Sequence, residues 1–122
     1  MDQMMKAAVL VVEDEPLMRM TAVDLVEDAG FEAIEVWNVD DAIRILASRD
    51  DICIVFSDID LGHGGDGLKL AHAVRDRWPP IGIIVVSGKR RVERQSLPED
   101  GLFFEKPYRR DQVAAAMQRL AA

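Results

Sequence analysis

The chain has 122 residues, with 22 acidic side chains against 15 basic ones and a formal net charge of −7. Apolar residues make up 49% and charged ones 30%, the composition of a folded globular domain rather than a disordered chain. The acidic balance excludes a general nucleic-acid binder, because no surplus of cations is available to neutralise a run of phosphates.

The length predicts a single domain over 1–122 with no effector domain, and a core of ordinary size. A lone cysteine, Cys53, cannot form an internal disulfide, which fits a reducing compartment. The sequence has neither a basic leader nor a long apolar stretch, so no membrane association and a cytoplasmic location are expected.

Residues 7–12 (AAVLVV) form a continuous apolar run, the pattern of a strand buried on both faces, and end in Glu13-Asp14-Glu15. Pro16 suits the first turn of a helix, where its missing N–H is no loss, and Asp14 or Glu15 suits the cap. Met18, Ala22, Leu25 and Ala29 recur at helical spacing until Gly30. Residues 31–37 (FEAIEVW) alternate apolar with acidic and predict a half-exposed edge strand. Asn38 or Asp40 then caps a second helix that turns Val39, Ala42, Ile43 and Leu46 inward.

A third strand over 52–57 leads into Ser57-Asp58-Ile59-Asp60. Residues 61–67 (LGHGGDG) hold four of the eight glycines, a loop whose backbone can approach a ligand closely. Ala71, Val74 and Trp78 mark a third helix, stopped by Pro79-Pro80. A fourth strand over 81–86 ends at Ser87-Gly88. Residues 89–97 are charged and weakly periodic. A short fifth strand over 101–105 closes on Lys106-Pro107, and an amphipathic helix over 109–120 ends the chain.

Five strands alternating with helices, four of them nearly all apolar, predict an α/β fold. The expected form is a doubly wound, five-stranded parallel sheet in flavodoxin-like order 2-1-3-4-5, with helices on both faces. That topology carries Glu13, Asp14, Asp58, Asp60, Ser87 and Lys106 to the rim at the carboxyl ends of the strands, where ligands bind in open α/β sheets. Like charges 4 Å apart repel by about 4 kcal/mol at an effective dielectric of 20, so a shared pocket of carboxylates calls for a cation or for protonation. Carboxylate oxygens suit Mg²⁺, and an ammonium with a hydroxyl beside them suits phosphoryl transfer.

VLVVEDEP, IVFSDID, VVSG and the Lys106-Pro107 pair, in this order and over the whole chain, resemble the signature of bacterial two-component response-regulator receiver domains of the single-domain, chemotaxis-regulator type. The resemblance implies that Asp58 accepts a phosphoryl group from a sensor histidine kinase or a histidine phosphotransferase. It implies that Glu13, Asp14, Asp58 and the backbone carbonyl of Asp60 hold Mg²⁺, and that Ser87 and Lys106 bind the phosphoryl group. Ser87 and Phe103 take the family's switch positions, the peptide before Pro107 is expected to be cis, and Asp60 and Lys89 resemble determinants of phosphoryl lifetime. Such a protein is not an enzyme with an external substrate. It catalyses its own phosphorylation and dephosphorylation, signalling by protein contact to an unknown downstream target or serving as a relay or phosphate sink, without direct nucleic-acid contact. The oligomeric state, a homodimer included, stays open.

The departures from the family pattern lie in two loops. One extra residue separates Asp58 from Asp66-Gly67, and glycines replace the usual loop proline. The stretch from Ser87 to Lys106 is shorter than usual by about three residues, nearly one helical turn, so a fourth helix there is expected to be short, frayed or absent. Two other functions fit parts of the pattern. Asp58-Ile59-Asp60 imitates the nucleophile motif of haloacid-dehalogenase-like phosphatases, although that motif usually ends the first strand. A flavodoxin-like nucleotide binder shares the topology, but its phosphate loop is not acidic. Among the remaining residues, Cys53 reads as an inert core thiol, His63 and His72 as solvated, and Trp37 and Trp78 as packing residues. Lys89, Arg90, Arg91, Arg94, Arg109 and Arg110 read as a solvated basic face before a docking patch.

Overall fold

The structure, a computed structural model, describes residues 7–122; residues 1–6 of the expected domain lie outside the described residues. Strands β1 (Ala8–Val12), β2 (Glu32–Val36), β3 (Ile52–Asp58), β4 (Gly82–Ser87) and β5 (Leu102–Glu105) alternate with helices α1 (Pro16–Asp28), α2 (Val39–Ser48), α3 (Gly67–Arg77) and α4 (Arg110–Ala121). The strands form one parallel sheet in the order β2-β1-β3-β4-β5, as expected.

Alternate residues of each central strand serve opposite faces, which is why these strands read as unbroken apolar runs. Ala8, Leu10 and Val12 pack with Ala42, Leu46, Leu70, Ala71 and Val74 from the α2/α3 side. Val9 and Val11 pack with Ala22, Leu25, Val26, Val113, Ala116 and Met117 from the α1/α4 side. Edge strand β2 keeps Glu32 and Glu35 in solvent and buries Val36. Cys53 is half-buried, its thiol raised by burial and bonded to the Ala8 carbonyl, an inert setting.

The helix starts follow from their caps. Glu15 accepts from the Leu17 and Met18 amides at 3.1 and 2.9 Å, ahead of Pro16. Asn38 caps α2 through the Asp41 amide, and Asp66 caps α3 through those of Leu68 and Lys69. Each such cap satisfies amides that the helix cannot, a stabilisation of about 1 kcal/mol. On α1 the inward face is Ala22, Leu25 and Val26; Met18, expected inside, is partly exposed at the open space beyond the strand ends.

Residues 88–101 contain no α-helix, only a single 3-10 turn at Arg94–Ser96. The segment is short, Pro98 interrupts it, and its few apolar side chains make no helical stripe. Val92 and Leu97 instead pack on the α2/α3-side core. Side chains of α3 hold the segment in place by its carbonyls. His72 Nε2 donates to Ser96 at 2.8 Å and Arg75 to Glu99 at 2.8 Å; Arg75 also donates to Pro79 at 2.6 Å and to Ile81 at 3.0 Å in the turn that precedes β4. His72 is exposed, as expected, and serves as a tether as well. Trp37 also departs from expectation: it is 53% exposed, with the Arg19 guanidinium 4.7 Å from its ring centre. Trp78 is partly buried against the core. The basic residues do not form one face, since Arg110 pairs with Asp24 and Asp28 of α1 while Arg90 leans over the strand ends.

Candidate functional site

Register brings the strand ends level. Val12 pairs with Ser57, Asp58 with Val86, and Ser87 with Glu105, so the residues that follow share one rim. A cleft of about 660 Å³ opens there, lined among others by Asp14, Asp58, Asp60, Lys89, Arg90 and Lys106. Fully buried Ile59 and Leu61 anchor the loop after β3, and Asp60 bridges to Asp66 across it.

Two glycines shape that loop. Gly62 adopts φ 57°, and a Cβ there would come within 3.1 Å of an Asp14 carboxylate oxygen. At Gly67 a Cβ would sit 2.0 Å from the Asp58 carbonyl oxygen, so only glycine lets α3 start this close to the end of β3.

Lys106 is the hub. Its Nζ donates to Asp58 Oδ2 at 3.1 Å and to Glu13 Oε1 at 3.2 Å, and the three side chains are 16%, 11% and 7% exposed. Its backbone N–H donates to the Ser87 carbonyl at 2.9 Å, which fixes where the side chain sets out, and the Lys106-Pro107 peptide is cis as expected. Burial disfavours the ammonium, but Glu13 and Asp58 outweigh it and hold its pKa above the usual value. Glu13 also accepts from the Glu15 amide at 3.2 Å. Burial first, and the Asp58 charge second, push Glu13 from 4.5 up to about 7 against the pull of Lys106.

One oxygen from each of Glu13, Asp14 and Asp58 lies within 4.8 Å of the others. Oxygens on opposite sides of a Mg²⁺ ion are about 4 Å apart, so this donor set fits a hard divalent cation with little movement. The negative charge that favours such a cation also adds to the proton affinity of Glu13, second to the effect of burial.

The structure therefore brings together Glu13, Asp14, Asp58 and Lys106. Ser87 reaches the same rim fully buried, but its hydroxyl points to Asp60 Oδ2 at 3.3 Å and accepts from the Lys89 and Arg90 amides at 3.2 and 3.0 Å. Asp58 Oδ1 accepts a long bond from the Asp60 amide, 3.3 Å. Phe103 is half-buried on β5 against the α2/α3-side core and does not line the cleft. Sequence reasoning missed the carboxylate of Asp60 as a partner of Ser87, and Arg90, whose Nη1 is 3.8 Å from Asp60 and 3.9 Å from Asp66. The two arrive from different loops, and no spacing within either loop signals the meeting.

A family model described as the response regulator receiver domain matches residues 9–118. The nitrogen assimilation regulatory protein NtrX of Azorhizobium caulinodans is 29% identical over 115 residues, which cover 91% of this chain and 25% of that protein. The chain thus spans about a quarter of the length of the first curated relatives it matches, a putative NtrX-like response regulator of Rickettsia bellii being the second. Among solved structures, a response regulator receiver protein from Sinorhizobium medicae superposes with a TM-score of 0.87 at 28% identity, covering 95% of this chain and 94% of the other. These matches do not support a haloacid-dehalogenase-like phosphatase, and Asp58 ends β3, with Asp60 in the loop after it, rather than following the first strand.

Proposed function

This chain belongs to the response regulator receiver domain family, and on that premise we propose that Asp58 is its phosphoacceptor. One carboxylate oxygen of Asp58 attacks the phosphorus of a phosphohistidine on a sensor kinase or histidine phosphotransferase. The P–O bond forms as the P–N bond breaks, and the imidazole nitrogen keeps the electron pair. Attack of water on the acyl phosphate returns free Asp58 and inorganic phosphate. The protein is thus its own catalyst for one phosphoryl transfer and for the hydrolysis that ends it, and not an enzyme acting on an external substrate.

The observation that supports this most is the Lys106 ammonium held between Asp58 and Glu13. It places a fixed positive charge where a phosphoryl oxygen on Asp58 would develop charge, and preorganised charges of this kind contribute most to transfers with little covalent chemistry of their own. Glu13, Asp14, Asp58 and the Asp60 carbonyl would hold Mg²⁺, which supplies charge neutralisation for the incoming group. Lys106 and the Ser87 hydroxyl bind the phosphoryl oxygens, and Phe103 on β5 follows the change at Ser87.

Output runs through contact with another protein, or the domain passes the phosphoryl group on or discards it. The unpaired Cys53 and the absence, among the described residues, of any helix long and apolar enough to cross a membrane fit action in the cytoplasm. The test is incubation with acetyl phosphate and Mg²⁺. Wild type gains one phosphoryl group by intact mass and Asp58→Asn gains none; equal labelling of the two refutes the assignment.

A further inference from the structure

The hydrogen-bond capacity of Ser87 is used up. A serine hydroxyl has one proton and two lone pairs. Both lone pairs are engaged by the Lys89 and Arg90 amides, which leaves the single proton directed at Asp60 Oδ2. The side chain is fully buried, so water offers no alternative partner. Ser87 cannot donate to a phosphoryl oxygen on Asp58 while it donates to Asp60.

We propose that the Asp60 carboxylate is a built-in competitor for the Ser87 hydroxyl, a latch that holds the unphosphorylated arrangement and must yield before Ser87 can bind the phosphoryl group. This rests on Asp58 being the phosphoacceptor and assigns the Asp60 side chain a positioning role distinct from that of its backbone carbonyl. The release is prepared, because the Arg90 guanidinium stands 3.8 Å from Asp60 Oδ1, ready to take a carboxylate that loses Ser87. Arg90 is also the residue whose amide caps Ser87, so one residue holds both sides of the latch. A charged acceptor bonds more strongly than a neutral one, which makes aspartate a firmer latch than asparagine would be.

The experiment measures binding of beryllofluoride, a phosphoryl analogue, in the presence of Mg²⁺ by calorimetry. Wild type, Asp60→Ala, Asp60→Asn, Ser87→Ala and the Asp60→Ala/Ser87→Ala double variant are compared. The latch predicts that Asp60→Ala binds about five- to tenfold more tightly than wild type, and that the gain shrinks to about twofold or less when Ser87 is already alanine. Asp60→Asn, which drops the charge but keeps an acceptor, gains less than Asp60→Ala; this comparison needs no change at Ser87. An equal gain in both Ser87 backgrounds, or equal gains for Ala and Asn, means simple charge repulsion and overturns the latch while leaving Asp58 as phosphoacceptor. A folded wild type that binds no beryllofluoride overturns the phosphoacceptor assignment and the latch with it.

Discussion

Replacing Lys106 by methionine keeps most of the side-chain volume and removes the charge that Glu13 and Asp58 share. Those two carboxylates are nearly buried and, with Asp14, offer oxygens within 4.8 Å of one another. At that separation and an effective dielectric of 20, two full charges repel by about 3.5 kcal/mol. Removing one partner of a buried pair typically costs about 3–5 kcal/mol, and because the cleft opens to water a value at or below that lower bound applies, roughly 2–3 kcal/mol at pH 8. The loss depends on pH. In wild type, Glu13 titrates near 7 when folded against an ordinary 4.5, so between these values the folded state binds more protons than the unfolded one. Stability from this group is full below 4.5 and is lost as pH rises through about 7. Without Lys106 the folded value rises further, and the window of loss extends upward with it. Urea unfolding at pH 5 and pH 8, with and without Mg²⁺, therefore finds a small deficit at pH 5, a large one at pH 8, and recovery by Mg²⁺. A deficit under about 0.5 kcal/mol at pH 8, indifferent to Mg²⁺, refutes the electrostatics described for this site.

Asp14→Ala removes an exposed carboxylate from the cation set without touching the Lys106 hub; Mg²⁺ affinity by calorimetry falls about tenfold or more while the melting temperature of the metal-free protein holds or rises. Gly67→Ala sets a Cβ against the Asp58 carbonyl at 2.0 Å, which the start of α3 can relieve only by moving; destabilisation of about 3 kcal/mol or more in denaturant unfolding is expected, with weakened Mg²⁺ binding. Arg75→Ala removes three bonds to the carbonyls of Pro79, Ile81 and Glu99, and faster amide exchange around residues 79–81 and 88–101, with a global loss of about 1–2 kcal/mol, is the expected result.

The sheet was legible because both of its signals are local. Continuous apolar runs such as residues 7–12 and 81–86, short and bounded by turn residues, fit strands covered on both faces, and the acids and lysine that follow the strands are carried to one rim by parallel topology. The pairing of Lys106 with Asp58 and Glu13, from three separate strand ends, followed from the same rule. What escaped was decided between loops. Arg90 reads as one of several surface cations until the loop after β4 sets it beside Asp60. His72 reads as solvated, and Arg75 carries no sequence signal, until a crossover too short for its own helix needs donors for its carbonyls. Trp37 reads as a packing residue because it lies at the end of a strand, yet β2 is an edge and Arg19 covers its ring instead. Hydrophobic period locates elements well, but it carries no information about which side chains meet across turns.

The most direct test of the whole account is to locate the phosphoryl group. The protein is incubated with phosphoramidate, whose P–N bond stands in for phosphohistidine, in the presence of Mg²⁺, then digested and mapped by mass spectrometry under acidic conditions. The expected result is a single labile phosphoryl group on Asp58, lost on treatment with hydroxylamine as an acyl phosphate must be, and absent when Mg²⁺ is chelated. Label on Asp60, on Glu13 or on a histidine, or none on the folded protein, contradicts it.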